Sequence, residues 1–239
     1  MALLQEVWLH ADVSALETLL PSGRYHIVGA RAAAGLRRGG LLTLVDRAGG
    51  WRVTEDTFER FAAGAPAWRV WEGDGLMGKG FQRVGLAGER RERLTVINTH
   101  LQAEYTTGIP RTRYVAIRRS QLEQLVRAAA AAAREGPVLV AGDFNTTPDE
   151  TALHTLLTDA GWIDLTAPLR AASGGGTGGG TCIGTGAGAA EWLDYAFALT
   201  PAGTSISADA SLIMNSARDV PFSDHHGLAV EVSLSQPPC

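Results

Sequence analysis

"LTVINTHLQAEY", residues 94–105, decides how this chain is read. An apolar run, Leu94–Ile97, drives straight into Asn98, Thr99, His100, Gln102 and Glu104. A short run of this composition reads as a buried strand. A buried strand that ends on so many polar groups must deliver them to hydrogen-bonding partners or to a pocket. Side chains at i and i+2 of a strand share a face, so Asn98 and His100 are presented together.

The same ending recurs along the chain. "ALLQEVW" (2–8) ends on Gln5 and Glu6, and "VLVAGDFN" (138–145) ends on Asp143 and Asn145, again an i, i+2 pair. "EWLDYAF" (191–197) carries Asp194, and "PFSDHHG" (221–227) carries Asp224, His225 and His226. One polar strand end is ordinary; five point to convergence on one pocket. The set combines carboxylates, amides and imidazole, hard oxygen ligands with proton-transfer groups. It suits Mg²⁺, Mn²⁺ or Ca²⁺ better than a thiolate-bound metal. Adjacent side chains of a strand point to opposite faces, so one of His225 and His226 enters the pocket, and strand geometry does not choose between them.

Working outward, strand character recurs at Ala2–Val7, Tyr25–Ala30, Leu41–Val45, Phe81–Leu86, Leu94–Ile97, Val138–Ala141, Trp192–Leu199, Ser211–Met214 and Leu228–Val232. Three helices are predicted. The longest spans Arg111–Arg134, with Val115, Leu122, Val126, Ala129 and Ala133 near one face and a stop at Gly136–Pro137. The others are Asp12–Leu20, capped by Asp12 and stopped by Pro21, and Asp149–Ala160, entered through Thr147–Pro148. Because several strands lack a following helix, much of the pairing must be antiparallel or mixed. Two packed sheets with helices on their outer faces is the simplest arrangement. The glycine-rich segment "SGGGTGGGTCIGTGAGAA" (173–190) reads as a flexible surface loop, and no linker divides the chain, so residues 1–239 are expected to form one domain.

Composition narrows the function classes. With 239 residues, 45% of them hydrophobic, the chain can bury a substantial core, and a net charge of −4 supplies no global field for nucleic acid. Two cysteines, Cys182 and Cys239, are too few for a disulfide framework, and Cys182 has no His or Cys at zinc-site spacing. No apolar run approaches the roughly 20 residues of a transmembrane helix, and no secretory signal follows Met1, so the chain reads as soluble. There is no G-x-S-x-G elbow for a serine hydrolase. "GKG" at 78–80 fails as a P-loop because Lys79 is followed by Gly80.

Taken in order, "LQEVW", "NTHLQ", "GDFN", "LDYAF" and "SDHHG", spread over residues 4–227, make the chain resemble the endonuclease/exonuclease/phosphatase superfamily, of deoxyribonuclease-I-like fold. The resemblance implies an α/β four-layer sandwich, two packed mixed β-sheets flanked by helices, with the site at one end of the sheets. It also implies metal-assisted cleavage of phosphate esters, with Mg²⁺ or Mn²⁺ as cofactor. Carried over by position, Glu6 is similar to the main metal ligand, with Asp224 near the metal. His225 resembles the general base, oriented by Asp194; Asp143 and Asn145 would hold the attacking water and the phosphate; His100 would donate to a non-bridging oxygen. Asn98 supports that strand end and is carried over as a substrate contact. The family normally opens with a strand ending in a metal-site asparagine. Only five residues precede Glu6 here, so the resemblance implies an N-terminally truncated domain.

Within the superfamily, "GKGFQRVGL" (78–86) followed by "LTVINTHLQAEY" most resembles the neutral sphingomyelinase branch. This implies hydrolysis of sphingomyelin or a related phosphodiester lipid at a membrane or micelle surface, with Lys79 countering phosphate charge or standing as a solvated turn residue. Trp51, Trp68 and Trp71 are candidates for a lipid interface or for the core. A nuclease is the leading alternative, since "GERRERL" (88–94) and "RTRYVAIRR" (111–119), with Tyr114 between arginines, offer basic contacts for a phosphate backbone. A phosphoinositide phosphatase and a non-catalytic remnant of the fold complete the alternatives.

Overall fold

The protein is described from a computed structural model, which places residues 1–29, 38–64, 78–89, 92–105, 110–173, 180–183, 190–213 and 223–235. Trp68, Trp71, Met214, Cys239 and most of the glycine-rich segment lie outside the described residues.

The larger sheet is built around the opening stretch. It runs in the order β4 (Arg52–Arg60), β5 (Gly80–Ala87), β6 (Arg93–His100), β7 (Val138–Asp143), β9 (Asp194–Leu199), β8 (Ile163–Asp164). Among the described residues of this sheet only β6 and β7 pair in parallel; the remaining pairings are antiparallel. Facing it are a three-stranded sheet of β1 (Ala2–Leu4), β3 (Leu42–Asp46) and β2 (Tyr25–Val28), and a hairpin of β10 (Ser205–Ile213) and β11 (Gly227–Ser235). This is the expected two-sheet sandwich, with its second sheet in two antiparallel pieces.

Strand alternation divides the core. Ile97, Val138 and Val140 face outward from the sandwich, against helices α2 (Arg111–Ala132) and α3 (Thr151–Asp159), where Leu122, Leu125, Leu153 and Leu157 close over Phe144, Trp192 and Phe197. Burial of each such side chain stabilises the fold by roughly 1.5–3 kcal/mol. Val84, Leu86 and Val96 face inward onto Val28 and Val45, while Ala196 and Ala198 face inward onto β10 and β11.

The three predicted helices form, with shifted details. α1 (His10–Leu19) begins ahead of Asp12, whose carboxylate sits in the first turn and accepts from the Leu9 N–H at 3.2 Å. The buried face of α2 is Tyr114, Arg118, Gln121, Leu122, Leu125, Ala129 and Ala132, rotated from the predicted stripe because two of its members are polar. Among the described residues, two strands and one α-helix escaped the sequence reading, β4, β8 and the short α4 (Ala167–Ala172), as did the 3-10 turns at Arg38–Gly40 and Arg47–Gly49. β4 is a charged edge strand with a register shift between Val53 and Glu55, which erases the alternation that would have marked it.

Candidate active site

The topology brings the polar strand ends to one edge of the sandwich. β1, β6 and β7 end there, with Glu6 just past β1, His100 and Asp143 as last residues of β6 and β7. β9 begins there with Asp194, and Asp224 and His225 lie in the short segment ahead of β11, separated from it by His226. Glu6, Asp143, Asp194, Asp224, His225 and His226 line a single cavity, so both histidines reach it and not one alone, since they precede β11 and are not bound by strand alternation.

Gly142 lets the central strands close at this edge. With φ at +145°, an added Cβ would lie 2.0 Å from the Thr99 carbonyl oxygen across the parallel pair, so only glycine fits beside the strand that carries His100. Strain concentrates at the same place. Among the described residues, the non-glycine positions with positive φ are Glu6 (+60°) and Asn145 (+48°), both in this cluster.

His225 and Asp194 form the clearest catalytic geometry. His225 Nδ1 lies 2.7 Å from Asp194 Oδ2, which fixes the orientation of the ring. Burial works against the imidazolium, but the hydrogen bond to Asp194, a second with Cys182 and the charges of Asp194 and Asp143 push His225 up to about 11. Asp194 moves up as well: burial, reinforced by the Asp143 charge, outweighs its hydrogen bonds to His225 and Thr181.

His100 is buried at the centre of a second cluster. Its Nε2 lies 2.6 Å from Lys79 Nζ and 3.3 Å from Asp143 Oδ2, and its Nδ1 finds no hydrogen-bond partner among the described residues. Lys79 is 5% exposed, which removes its reading as a solvated turn residue. It lies 6.0 Å from the centroid of the Trp8 ring. Burial opposes the charge of Asp143, yet His100, by charge and hydrogen bond, together with the charges of His225 and Lys79, holds its carboxyl below the ordinary value. Asn145 joins by a turn, not by strand alternation. β7 ends at Asp143, and the Asn145 backbone N–H donates to Asp143 Oδ1 at 2.8 Å while its side-chain amide donates to Asp143 Oδ2 and to the Leu101 carbonyl, both at 3.1 Å.

Asn98 is placed differently from its expected role. It is fully buried, and its amide donates to the carbonyls of Leu4 (3.1 Å) and Leu42 (3.2 Å) while its oxygen accepts from Gln5 Nε2 at 2.7 Å. With both donors engaged in the inner sheet, Asn98 ties β6 to β1 and β3 and steadies the residue before Glu6.

Sequence reasoning missed the supports. The Thr181 hydroxyl accepts from the backbone N–H groups of Leu193 (2.9 Å) and Asp194 (3.0 Å), fixing the start of β9. Thr181 and Cys182 belong to the glycine-rich segment read as a surface loop, yet Cys182 bridges to both Glu191 and His225. Gly180 packs so closely on Glu191 that an added Cβ would meet its backbone at 2.5 Å. Behind His100, the Gln102 N–H donates to Gln121 Oε1 at 2.9 Å, and buried Arg118 pairs with Glu150. Only tertiary structure reveals these contacts, since each joins residues far apart in sequence.

Glu6 and Asp224 are exposed carboxylates on the shared cavity. Among the described residues no three His, Cys, Asp or Glu side chains close on one point. Two carboxylates of this kind fit a hard cation that retains water and takes substrate oxygens, the habit of Mg²⁺.

A two-sheet sandwich with acids and histidines gathered at one edge of its central strands defines a deoxyribonuclease-I-like fold. The chain belongs to the endonuclease/exonuclease/phosphatase family, which it matches over residues 1–225. It is 26% identical over 165 residues to the inositol phosphosphingolipids phospholipase C of Schizosaccharomyces pombe, a match covering 69% of this chain and 37% of the length of that relative. The crystal structure of D. rerio TDP2 complexed with single strand DNA product aligns with a TM-score of 0.67 at 16% identity, over 97% of this chain and 84% of that one. That of SmcL aligns with a TM-score of 0.60 at 20% identity, over 95% and 83%.

Proposed function

We propose that the chain is a divalent-metal-dependent phosphodiesterase that hydrolyses a phosphodiester lipid, such as sphingomyelin, by in-line attack of water. The observation that carries this reading is the His225–Asp194 pair opening onto the same cavity as Glu6, Asp143 and Asp224. Asp194 holds the His225 ring with Nδ1 occupied, so Nε2 is the atom that takes a proton from water. Asp143 orients that water, and Asn145, whose amide donors are taken by Asp143 and the Leu101 carbonyl, holds Asp143 in position rather than donating to the phosphate. The buried Lys79–His100 pair sets fixed positive charge and a hydrogen-bond donor where the equatorial phosphate oxygens gain charge in the transition state. Glu6 and Asp224 would hold the cation, Mg²⁺ or Mn²⁺, which when bound supplies Lewis-acid stabilisation and offsets the negative field that keeps His225 protonated.

Two findings favour lipid over nucleic acid. The sphingolipid phospholipase C relative shares 26% identity, whereas the likeness to the DNA-bound neighbour is one of fold. In addition, Tyr114 is fully buried and Arg118 is 1% exposed, so the stretch 111–119 does not present an interleaved aromatic and basic surface. The test is phosphocholine release from sphingomyelin in mixed micelles with Mg²⁺, run beside plasmid nicking, with EDTA and His225→Ala controls. Release abolished by both controls supports the reading. Nicking without release moves the substrate to nucleic acid, and inactivity of the folded protein in both assays overturns catalysis.

A further inference from the structure

Asp194 and His225 come from different pieces of the sandwich. Asp194 opens β9 in the larger sheet, whereas His225 lies in the segment leading to β11 of the hairpin, and among the described residues no strand pairing joins β9 to β11. A 2.7 Å bond between two such side chains needs an element that fixes one piece against the other. Residues 180–183, from the glycine-rich segment, run as a strap between them. On one side Cys182 exchanges both backbone bonds with Glu191, its N–H donating at 2.9 Å and its carbonyl accepting at 3.1 Å, three residues ahead of Asp194. On the other side the Ile183 N–H donates to the Asp224 carbonyl and the His226 N–H donates to the Thr181 carbonyl, both at 2.7 Å.

These last two bonds straddle Cys182 and His225, which therefore face each other at a non-hydrogen-bonded position of an antiparallel pair. Facing side chains come closest at such positions, with Cα atoms about 4.5 Å apart. The Cys182 thiol accordingly hydrogen-bonds with the His225 ring. Thr181, fully buried, serves the other partner. A hydroxyl has one hydrogen and two lone pairs. Here the oxygen accepts from the N–H groups of Leu193 and Asp194, and the hydrogen is left for the Asp194 carboxylate. Neither Thr181 nor Cys182 lines the active-site cavity, so both act from behind it.

We propose that Thr181 and Cys182 are positioning residues for the His225–Asp194 pair: the hydroxyl fixes the carboxylate, the thiol fixes the imidazole, and the peptide between them sets the distance from one to the other. The catalytic consequence rests on the reading of His225 as the base, while the placement of the pair does not. Misplacing a reacting group by about 1 Å costs roughly a hundredfold in rate. Loss of either support is therefore expected to cost up to that much, at or below the low end of the roughly 10²–10⁴ that a general base contributes.

The test follows the His225 Nδ1 proton by NMR beside steady-state kinetics on sphingomyelin in mixed micelles. A proton in a short, charge-assisted bond to a carboxylate resonates far downfield, and Asp194→Asn identifies the signal by displacing it. Thr181→Val and Cys182→Ala are expected to broaden or remove the resonance and to lower kcat by about a hundredfold and about tenfold, with KM changed by less than about threefold. Thr181→Ser and Cys182→Ser, which keep a hydrogen-bonding group in place, are expected to restore both. Should Thr181→Val fail to fold, Cys182→Ala carries the test, since it leaves every backbone bond of the strap intact. The proposal is overturned if the resonance survives unchanged in the folded variants, or if kcat falls only in proportion to the folded fraction seen by calorimetry. A resonance lost in the variants of a chain that cleaves no phosphodiester upholds the positioning role and overturns His225 as a base; a resonance and turnover that both survive uphold the base and overturn the positioning role.

Discussion

Replacing Arg118 by Leu tests how the catalytic edge is held from behind. Arg118 is 1% exposed and its partner Glu150 is 7% exposed, and the guanidinium also reaches the Gln102 carbonyl at 3.5 Å, two residues beyond His100. Removing one partner of a buried pair leaves an uncompensated charge, which costs about 3–5 kcal/mol. Here Glu150 keeps the Thr147 N–H at 3.3 Å and Arg111 at 3.9 Å, so the lower end, about 3 kcal/mol, is expected. For a chain of this length that lowers Tm by roughly 6–12 °C. Arg83→Leu is the internal control. It removes a pair with Glu55 of the same chemistry, but with side chains 32% and 45% exposed, and should cost about 1 kcal/mol or less. Urea titration of both variants, followed by tryptophan fluorescence and far-UV circular dichroism, reads the difference. Equal losses for Arg118→Leu and Arg83→Leu would refute the reasoning, because burial would then carry no weight.

Other outcomes follow from the same geometry. His225→Ala should reduce turnover by about 10²–10⁴ in protein that calorimetry shows still to unfold cooperatively, at a lowered Tm because buried Asp194 loses its partner, read by phosphocholine release beside calorimetry. Asp143 is held below the ordinary carboxylate value of 3.8, so its contribution to stability is present above pH 3.8 and is lost as pH falls through its folded value. The unfolding free energy, measured by urea titration from pH 5 to pH 2.5, should therefore fall more steeply for the native chain than for Asp143→Asn, by at most about 1.4 kcal/mol per pH unit. Gly142→Ala forces a Cβ to within 2.0 Å of the Thr99 carbonyl, so it should cost more than about 4 kcal/mol and abolish the cooperative urea transition.

The sandwich was legible because its strands are apolar runs stopped by polar groups, and that punctuation survives in one dimension. β4 was not, since its half-buried residues Val53 and Phe58 are separated by exposed charges and a bulge. The α2 stripe was misjudged by about one position for a related reason. Hydrophobic periodicity counts Arg118 and Gln121 as solvent-facing, whereas each is buried by a specific partner: Glu150 for the one, the Gln102 N–H for the other. A polar residue on a buried face is invisible to periodicity until its partner is known.

The site shows the same division between what a strand presents and what a fold supplies. His100, Asp143 and Asp194 lie at strand ends, where the pleat aims them together, and their positions followed from the strand pattern. Asn98 shares the face of His100, and the shared face was read correctly, but it does not decide whether a side chain meets solvent or another strand. The inner sheet settles that. β1 and β3 arrive over Asn98 and take both its donors, while His100, at the last residue of β6, is left facing Lys79 and Asp143. Two positions along a strand are about 6.6 Å, which here separates a structural amide from a candidate catalytic imidazole. The polar residues that a strand carries past the edge of the opposing sheet are the ones available for chemistry, and those it carries beneath that sheet hold the layers together.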